Sequence, residues 1–155
     1  MKKFYVLIDC SGSFFESGKK ELQTYLVDSL SNASQGILKD VAVFSFFSWS
    51  DSIAPYSPAE PLTFGGNAAP EAFAKWLGTL EEGASVILLS DGNLHGDTEH
   101  LYEIIKLKKI SVIPFAVGAD AIVSLLSDFS VGHIVHDPVN LLTDVRHLCE
   151  REGVV

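Results

Sequence analysis

Alternating oxygen-bearing side chains near the N-terminus form the part of this sequence that is best suited to chemistry. Asp9, Ser11 and Ser13 are separated by single small residues. Because alternate residues of an extended segment point to the same side, their oxygens can converge. A carboxylate and two hydroxyls are hard donors, which suit Mg²⁺ or Mn²⁺ and not zinc. The alternative is that Ser11 or Ser13 only caps the helix that follows.

A second carboxylate, Asp91, lies in a polar turn after the apolar run Val86–Leu89. Two carboxylates that meet without a cation repel each other and raise a pKa, and a metal ion between them removes the repulsion. Asp91 therefore supports the metal hypothesis, provided that its turn lies beside Asp9. The alternative is that Asp91 only forms an Asx-type turn with Gly92 and Asn93.

The order of strands and helices determines where these turns lie. Apolar runs rich in β-forming residues predict strands near residues 4–8, 41–47, 52–54, 86–89, 110–117 and 131–135. Apolar residues at helical spacing predict helices near residues 16–32, 69–79, 98–108, 121–127 and 138–150. This alternation predicts a three-layer, doubly wound Rossmann-like α/β fold with helices on both faces. The sheet is expected to be mostly parallel with one short edge strand at Ser52–Ala54, within a single domain over residues 1–155.

The polar turns are expected to meet at one edge of this sheet. Binding sites of open α/β sheets form at the carboxyl ends of strands, where the strand order reverses. Turns of this kind cover residues 9–13 and 90–93, and Gly65–Asn67 precedes the second helix. A shared site at that edge is therefore predicted.

The segment Val6–Ser13, with the letters VLIDCSGS, resembles the D-x-S-x-S signature of von Willebrand factor A domains. Leu88–Gly92 is similar to the strand and Asp-Gly element of the same family. Gly65–Asn67 stands where that family usually has Gly-Gly-Thr. The order and spacing of the other elements also agree, so the resemblance covers nearly the whole chain.

This resemblance implies a metal-ion-dependent adhesion site, or MIDAS. Asp9, Ser11 and Ser13 would be ligands of Mg²⁺ or Mn²⁺, and Asp91 would act directly or through water. Asn67 replaces the usual threonine. Its amide oxygen can still ligate a hard cation or hold a bound water, although it has no hydroxyl.

The function implied by the resemblance is that of a non-enzymatic protein-interaction module. An acidic side chain of a partner protein would displace one water from the metal and complete its shell. Gly12, Asn93 and His95 are expected to contact the partner from the metal edge. Trp49 and Tyr56 are expected to form an exposed contact patch, since aromatic residues are enriched at interfaces.

Two other functions remain open at this stage. The first is a Mg²⁺-dependent phosphohydrolase with Asp9 as nucleophile and Asp91 as metal ligand. Against it, Ser11 stands where an acid would be expected. The second is a scaffold of the same fold whose metal site has degenerated, and Asn67 motivates it.

Composition narrows the class of partner and the location. The net charge is −9 and the cations are scattered, which predicts no binding to nucleic-acid phosphates or to anionic membranes. Cys10 and Cys149 lie in apolar surroundings and predict reduced thiols in a cytoplasmic protein. The apolar run Phe4–Ile8 is too short for a secretion signal or a membrane span.

Overall fold

Five strands form one sheet in the part of the chain that the computed structural model describes, residues 1–16 and 18–151. They are β1 (Lys2–Asp9), β2 (Ala42–Trp49), β3 (Ile53–Pro55), β4 (Ser85–Ser90) and β5 (Ser111–Ala116). Their order across the sheet is β3-β2-β1-β4-β5. The pairs of β1 with β2, β1 with β4, and β4 with β5 are parallel, whereas β3 runs antiparallel to β2. The predicted parallel sheet with one short edge strand is confirmed.

Helices cover both faces of the sheet, as predicted. They are α1 (Lys19–Gln35), α2 (Pro70–Leu77), α3 (Glu99–Leu107), α4 (Val123–Phe129) and α5 (Leu141–Glu150). Side chains of α1 and α5 share one apolar core with Phe4, Val6 and Ile8 of β1. Side chains of α2, α3 and α4 share a second core with Tyr5 and Leu7. Because both faces of β1 are covered, its sequence is a continuous apolar run.

The strand order reverses at the centre of the sheet, between β1 and β4. From β1 the chain moves outward to β2 and β3, and it then returns to the other side of β1 with β4. The carboxyl ends of these two strands are Asp9 and Ser90. The polar turns at residues 9–13 (the first turn) and 90–93 (the third turn) therefore lie at one edge of the sheet, at the position where doubly wound folds bind ligands.

The predicted strand at residues 131–135 is wrong. Residues Val131–His133 form a 3₁₀ turn, and this region pairs with the sheet only at the isolated bridge between Phe115 and His136. Gly132 and His133 have φ angles of 72° and 56°, which are incompatible with an extended strand. β5 is thus an edge strand of the five-stranded sheet, a position that tolerates Pro114, which has no backbone N–H to donate.

The helix boundaries differ from prediction mainly at α1. A 3₁₀ turn, Gly12–Phe15, follows the first polar segment, and α1 begins at Lys19 and not near residue 16. Gly18, with φ 79°, directly precedes the helix. The other helices agree with the predicted ranges to within one turn. Asp137 caps the 3₁₀ turn Pro138–Asn140 that leads into α5, since its carboxylate accepts from the Val139 N–H at 3.0 Å.

The helices of the described residues are surface layers of this sheet. The longest, α1, has 17 residues and carries polar side chains on its outer side. No helix in the described ranges combines the length and apolar character needed to cross a membrane.

Trp49 is a core residue, and the expectation of an exposed Trp49–Tyr56 patch is wrong. Its side chain is 0% exposed, and its ring packs 5.0 Å from the ring of Phe73 on α2. Tyr56 is half-buried against the core on the opposite face. The two aromatic residues therefore lie on different sides of the sheet and cannot share a contact surface.

Replacing Trp49 tests this assignment. We expect Trp49→Ala to lower the free energy of unfolding by about 3–5 kcal/mol, because it opens a large cavity in a packed core. Urea denaturation followed by circular dichroism measures the change. The control is Tyr25→Ala, whose side chain is 68% exposed and whose loss should cost no more than about 0.5 kcal/mol. Equal costs for the two variants would contradict the core assignment.

Candidate metal centre

Asp9 joins the carboxyl ends of the two central strands. It is the last residue of β1 and is 0% exposed. Its Oδ1 accepts from the Ser11 N–H at 3.0 Å, and its Oδ2 accepts from the Ser90 hydroxyl at 2.7 Å. Gln23 of α1 reinforces the junction, because its Nε2 donates to the carbonyl oxygens of Asp9 and Leu89 at 2.9 and 3.0 Å.

The environment of Asp9 disfavours its negative charge. The pKa of Asp9 is raised to about 6, chiefly by burial and also by the charge of Asp91, and hydrogen bonds from Ser11 and Ser90 partly offset these two effects. Two carboxylates therefore interact at this edge, as the sequence predicted. A nearby cation would relieve the repulsion between them.

Ser11 and Ser13 bring their hydroxyl oxygens to within 3.1 Å of each other. They do so on the 3₁₀ turn Gly12–Phe15 and its N-cap, not on the extended turn that was expected. Neither serine caps a helix with its side chain, because Ser11 makes no such bond and the N-cap of α1 is Gly18. The capping alternative is wrong. Ser11 is buried and Ser13 is half-buried, so solvent reaches this pair from the side of Ser13.

Asp91 follows β4 and is 1% exposed. Its Oδ1 accepts from the Asn93 N–H at 3.0 Å, so the expected Asx-type turn is present. Gly92 has φ 74°, and a Cβ there would lie 2.7 Å from the Ile122 carbonyl oxygen. The turn therefore requires glycine at position 92, because only glycine lets the backbone beside Asp91 approach the loop before α4 this closely. That loop is bonded directly to the site, since the Ile122 N–H donates to the Asp91 carbonyl at 2.7 Å.

The Oδ2 atom of Asp91 accepts from Lys19, which the sequence prediction missed. The Lys19 ammonium lies 3.0 Å from Asp91 Oδ2, 2.8 Å from Asp120 Oδ1 and 3.5 Å from Glu16 Oε2. The residue is only 5% exposed. Burial by itself lowers the pKa of Lys19, but hydrogen bonds to Asp120 and Asp91 outweigh it and raise the pKa above its ordinary value. A lysine in the first turn of a helix is unfavourable, because its positive charge opposes the helix dipole. This unfavourable position is the feature of the sequence from which acidic partners of Lys19 could have been predicted.

The loop Gly65–Asn67, called the middle loop below, is attached to the first turn through its backbone. The Gly12 N–H donates to the Gly66 carbonyl at 2.9 Å, and the Gly65 N–H donates to the Cys10 carbonyl at 2.8 Å. Asn67 is exposed, and its N–H donates to Asp51 Oδ1 at 2.9 Å. The loop therefore reaches the predicted edge, and the role of the Asn67 side chain stays a prediction.

Three of the residues predicted to contact a partner lie near this edge. Gly12 is half-buried in the first turn. Asn93, which is half-buried, and His95, which is exposed, follow Asp91 in the third turn. Trp49, the fourth, is removed from this group by its burial.

The donor set at this edge fits a hard divalent cation. In the described residues, no three side chains among His, Cys, Asp and Glu are grouped so as to hold a metal ion. A site here must therefore use hydroxyl oxygens, and the paired hydroxyls of Ser11 and Ser13 follow the buried carboxylate of Asp9. Such a set suits Mg²⁺ or Mn²⁺, and a cation beside Asp9 would offset the repulsion from Asp91.

Sequence comparison alone identifies no relative. No protein-family model matches the chain, and the comparison with curated proteins gives no match.

Solved structures of other proteins, among them a von Willebrand factor type A protein, are similar in fold. A von Willebrand factor type A protein from Catenulispora acidiphila is 18% identical with a TM-score of 0.69, over 96% of this chain and 42% of that chain. An aerotolerance-related membrane protein from Bacteroides fragilis is 12% identical with a TM-score of 0.68, over 98% of each chain. Proximal thread matrix protein 1 from the mussel byssus, with a zinc-occupied MIDAS motif, is 14% identical with a TM-score of 0.64, over 96% of this chain and 47% of that chain.

This chain spans less than half the length of the Catenulispora and mussel proteins. At identities of 12–18%, the likeness concerns the fold alone. The strand order, the helices on both faces and the polar turns at one sheet edge agree with it. The chain has the von Willebrand factor A fold.

Proposed function

We propose that this protein is a metal-dependent protein-interaction module that binds a divalent cation through Asp9, Ser11 and Ser13. The observation that carries the proposal is the 3.1 Å approach of the two serine hydroxyls beside the buried Asp9 carboxylate. Neither hydroxyl serves as a helix cap, so capping does not account for the pair. Asp91 supplies a second negative charge at the same edge.

Mg²⁺ or Mn²⁺ is the proposed ion, because all the donors are hard oxygens. The mussel protein holds zinc in its MIDAS motif, which supports a divalent cation in a site of this kind. When bound, the ion supplies a coordination position that an acidic side chain of a partner protein can fill. Asp9 and the two serines hold the ion, while Gly12, Asn93 and His95 form the surrounding surface.

A binding role agrees better with the geometry than a hydrolase with Asp9 as nucleophile. A nucleophilic carboxylate must reach its substrate. Asp9 is fully buried, which keeps a substrate atom from reaching its carboxylate, whereas the lone pairs that its oxygens do not use for Ser11 and Ser90 can still face a small cation. We therefore propose that the protein acts by holding a partner and not by turning over a substrate.

Metal binding should raise the thermal stability of the wild-type protein. A ligand that binds only the native state stabilises it by about 2.7 kcal/mol at a hundred times its dissociation constant. We expect millimolar Mg²⁺ or Mn²⁺ to raise the melting temperature, and we expect Ser13→Ala to lose most of that rise. Differential scanning fluorimetry measures both. Ser57→Ala, an exposed serine away from the site, is the matched control, and the absence of a shift in wild type would favour the degenerate-site hypothesis.

The buried charge of Asp9 makes the stability of the metal-free protein depend on pH. The folded pKa of Asp9, about 6, lies above its ordinary value of 3.8. Deprotonation therefore opposes folding, with no cost below the ordinary value and the full cost above the folded pKa. We expect metal-free Asp9→Asn to exceed wild type in stability by on the order of 3 kcal/mol near pH 8, and we expect the difference to vanish below about pH 3.

Urea denaturation over a pH series measures this effect. Asp128→Asn, which removes an exposed carboxylate, is the control and should show no such dependence. If Asp9→Asn were less stable than wild type at every pH, the proposed cost of the buried charge would be excluded.

Partner binding is tested by retention on immobilised protein. We expect proteins with an acidic contact residue to bind wild type in Mg²⁺ and to elute with a chelator. Ser13→Ala should retain none of them, whereas Ser57→Ala should behave as wild type. Quantitative mass spectrometry compares the retained fractions. If chelator and Ser13→Ala both leave the retained proteins unchanged, the protein binds its partners through its surface without a metal, as the degenerate-site hypothesis expects.

A further inference from the structure

The Lys19 ammonium occupies the centre of the acidic edge. Its partners come from separate segments: Glu16 precedes α1, Asp91 follows β4, and Asp120 follows β5. The ammonium also lies 5.8 Å from the centre of the Phe14 ring. A cation so enclosed has a defined position, unlike a surface lysine that samples many rotamers.

The path of the Lys19 side chain is built into the fold. Its stem crosses Gly118, where an added Cβ would lie 2.9 Å from Lys19 Cε. Gly118 has φ 96°, a conformation that glycine readily adopts. The passage for the stem and the backbone turn after β5 thus both depend on the absence of a side chain at this position.

Both carboxylate oxygens of Asp91 are already engaged. Oδ1 accepts from the Asn93 N–H, and Oδ2 accepts from Lys19. Each oxygen has a further lone pair, but a divalent cation at Oδ2 would meet the positive charge of the Lys19 ammonium 3.0 Å from that atom, and the two cations would repel each other. The Lys19 contact is the replaceable one, because the Asn93 contact is part of the turn itself.

Asp120 offers the ammonium a second carboxylate. Its side chain is 52% exposed, and its Oδ1 lies 2.8 Å from the ammonium nitrogen. Lys19 can therefore leave Asp91 without becoming a buried, unpaired charge, which would be strongly unfavourable.

We propose that Lys19 is a tethered cation that competes with the divalent metal for Asp91. This inference rests on the proposed metal site at Asp9, Ser11 and Ser13. In the metal-free protein, the ammonium neutralises Asp91. When a metal binds, the positive charge of Lys19 repels the ion, and the contact of Lys19 with Asp91 keeps that carboxylate from binding the ion. The wild-type protein therefore binds the metal more weakly than the same oxygen ligands would bind it without Lys19.

The test compares metal affinity in variants that remove or keep the charge. We expect Lys19→Met and Lys19→Gln to bind Mn²⁺ about ten-fold or more tightly than wild type, which corresponds to about 1.4 kcal/mol. Lys19→Arg keeps the charge and should bind no more tightly than wild type. Lys20→Met is the matched control, because the Lys20 ammonium lies near the exposed Phe15 ring and not at the acidic edge. Isothermal titration calorimetry measures the affinities.

Loss of Lys19 also removes the partner of a buried carboxylate, so folding is checked by circular dichroism. Lys19→Gln keeps a hydrogen-bond donor toward Asp91 and is the safer variant for this reason. If either neutral variant unfolds without metal, refolding on addition of Mn²⁺ supports the proposal. Failure of both to refold in Mn²⁺ overturns it.

The outcomes distinguish this inference from the proposed function. If wild type binds Mn²⁺ and the neutral variants bind it equally or more weakly, the competition is refuted while the metal site stands. If only the neutral variants bind, Lys19 competes as proposed, and the native chain is not a metal-dependent module. If no variant binds, both proposals fail.

Discussion

The buried carboxylate of Asp9 is the point on which the arrangement of this edge depends. It accepts from the backbone of the first turn and from the hydroxyl of Ser90, and so it connects the ends of β1 and β4 where the strand order reverses. Gln23 strengthens the same junction from α1. These bonds hold the paired serines and Asp91 at one place, although burial makes the charge of Asp9 unfavourable.

The balance of charge around this point explains the other features of the site. Two carboxylates at one buried edge need a positive charge nearby. The structure already contains one in Lys19, which is held by Asp91 and Asp120. A metal ion at the first turn would be the second. The affinity for that ion therefore depends on the distribution of charge between Lys19 and Asp91, and not only on the ligands that resemble a MIDAS.

The similarity to the solved structures concerns the scaffold. Identities of 12–18% accompany TM-scores of 0.64–0.69, because many sequences satisfy the same pattern of buried parallel strands and covering helices. This likeness says nothing about individual residues at the sheet edge. Asn67 stands in the middle loop, and Lys19 begins α1. Function has to be argued from these residues, because a fold hosts many functions.

The amino-acid sequence by itself determined the type of fold, the short edge strand and the turns that contain Asp9, Ser11, Ser13 and Asp91. These features follow from local patterns: apolar runs, helical spacing and the positions of polar turns. The expected strand at residues 131–135 failed because the backbone at Gly132 and His133 adopts positive φ angles, which an apolar pattern does not reveal.

Only the tertiary structure decided which side chains meet across the chain. Lys19 and Asp91 are separated by 72 positions, and no local pattern pairs them. Trp49 ends a strand beside a polar segment, and it is buried only because α2 packs over it. Both results depend on long-range packing, since burial and charge pairing are properties of the assembled layers and not of neighbouring residues in the sequence.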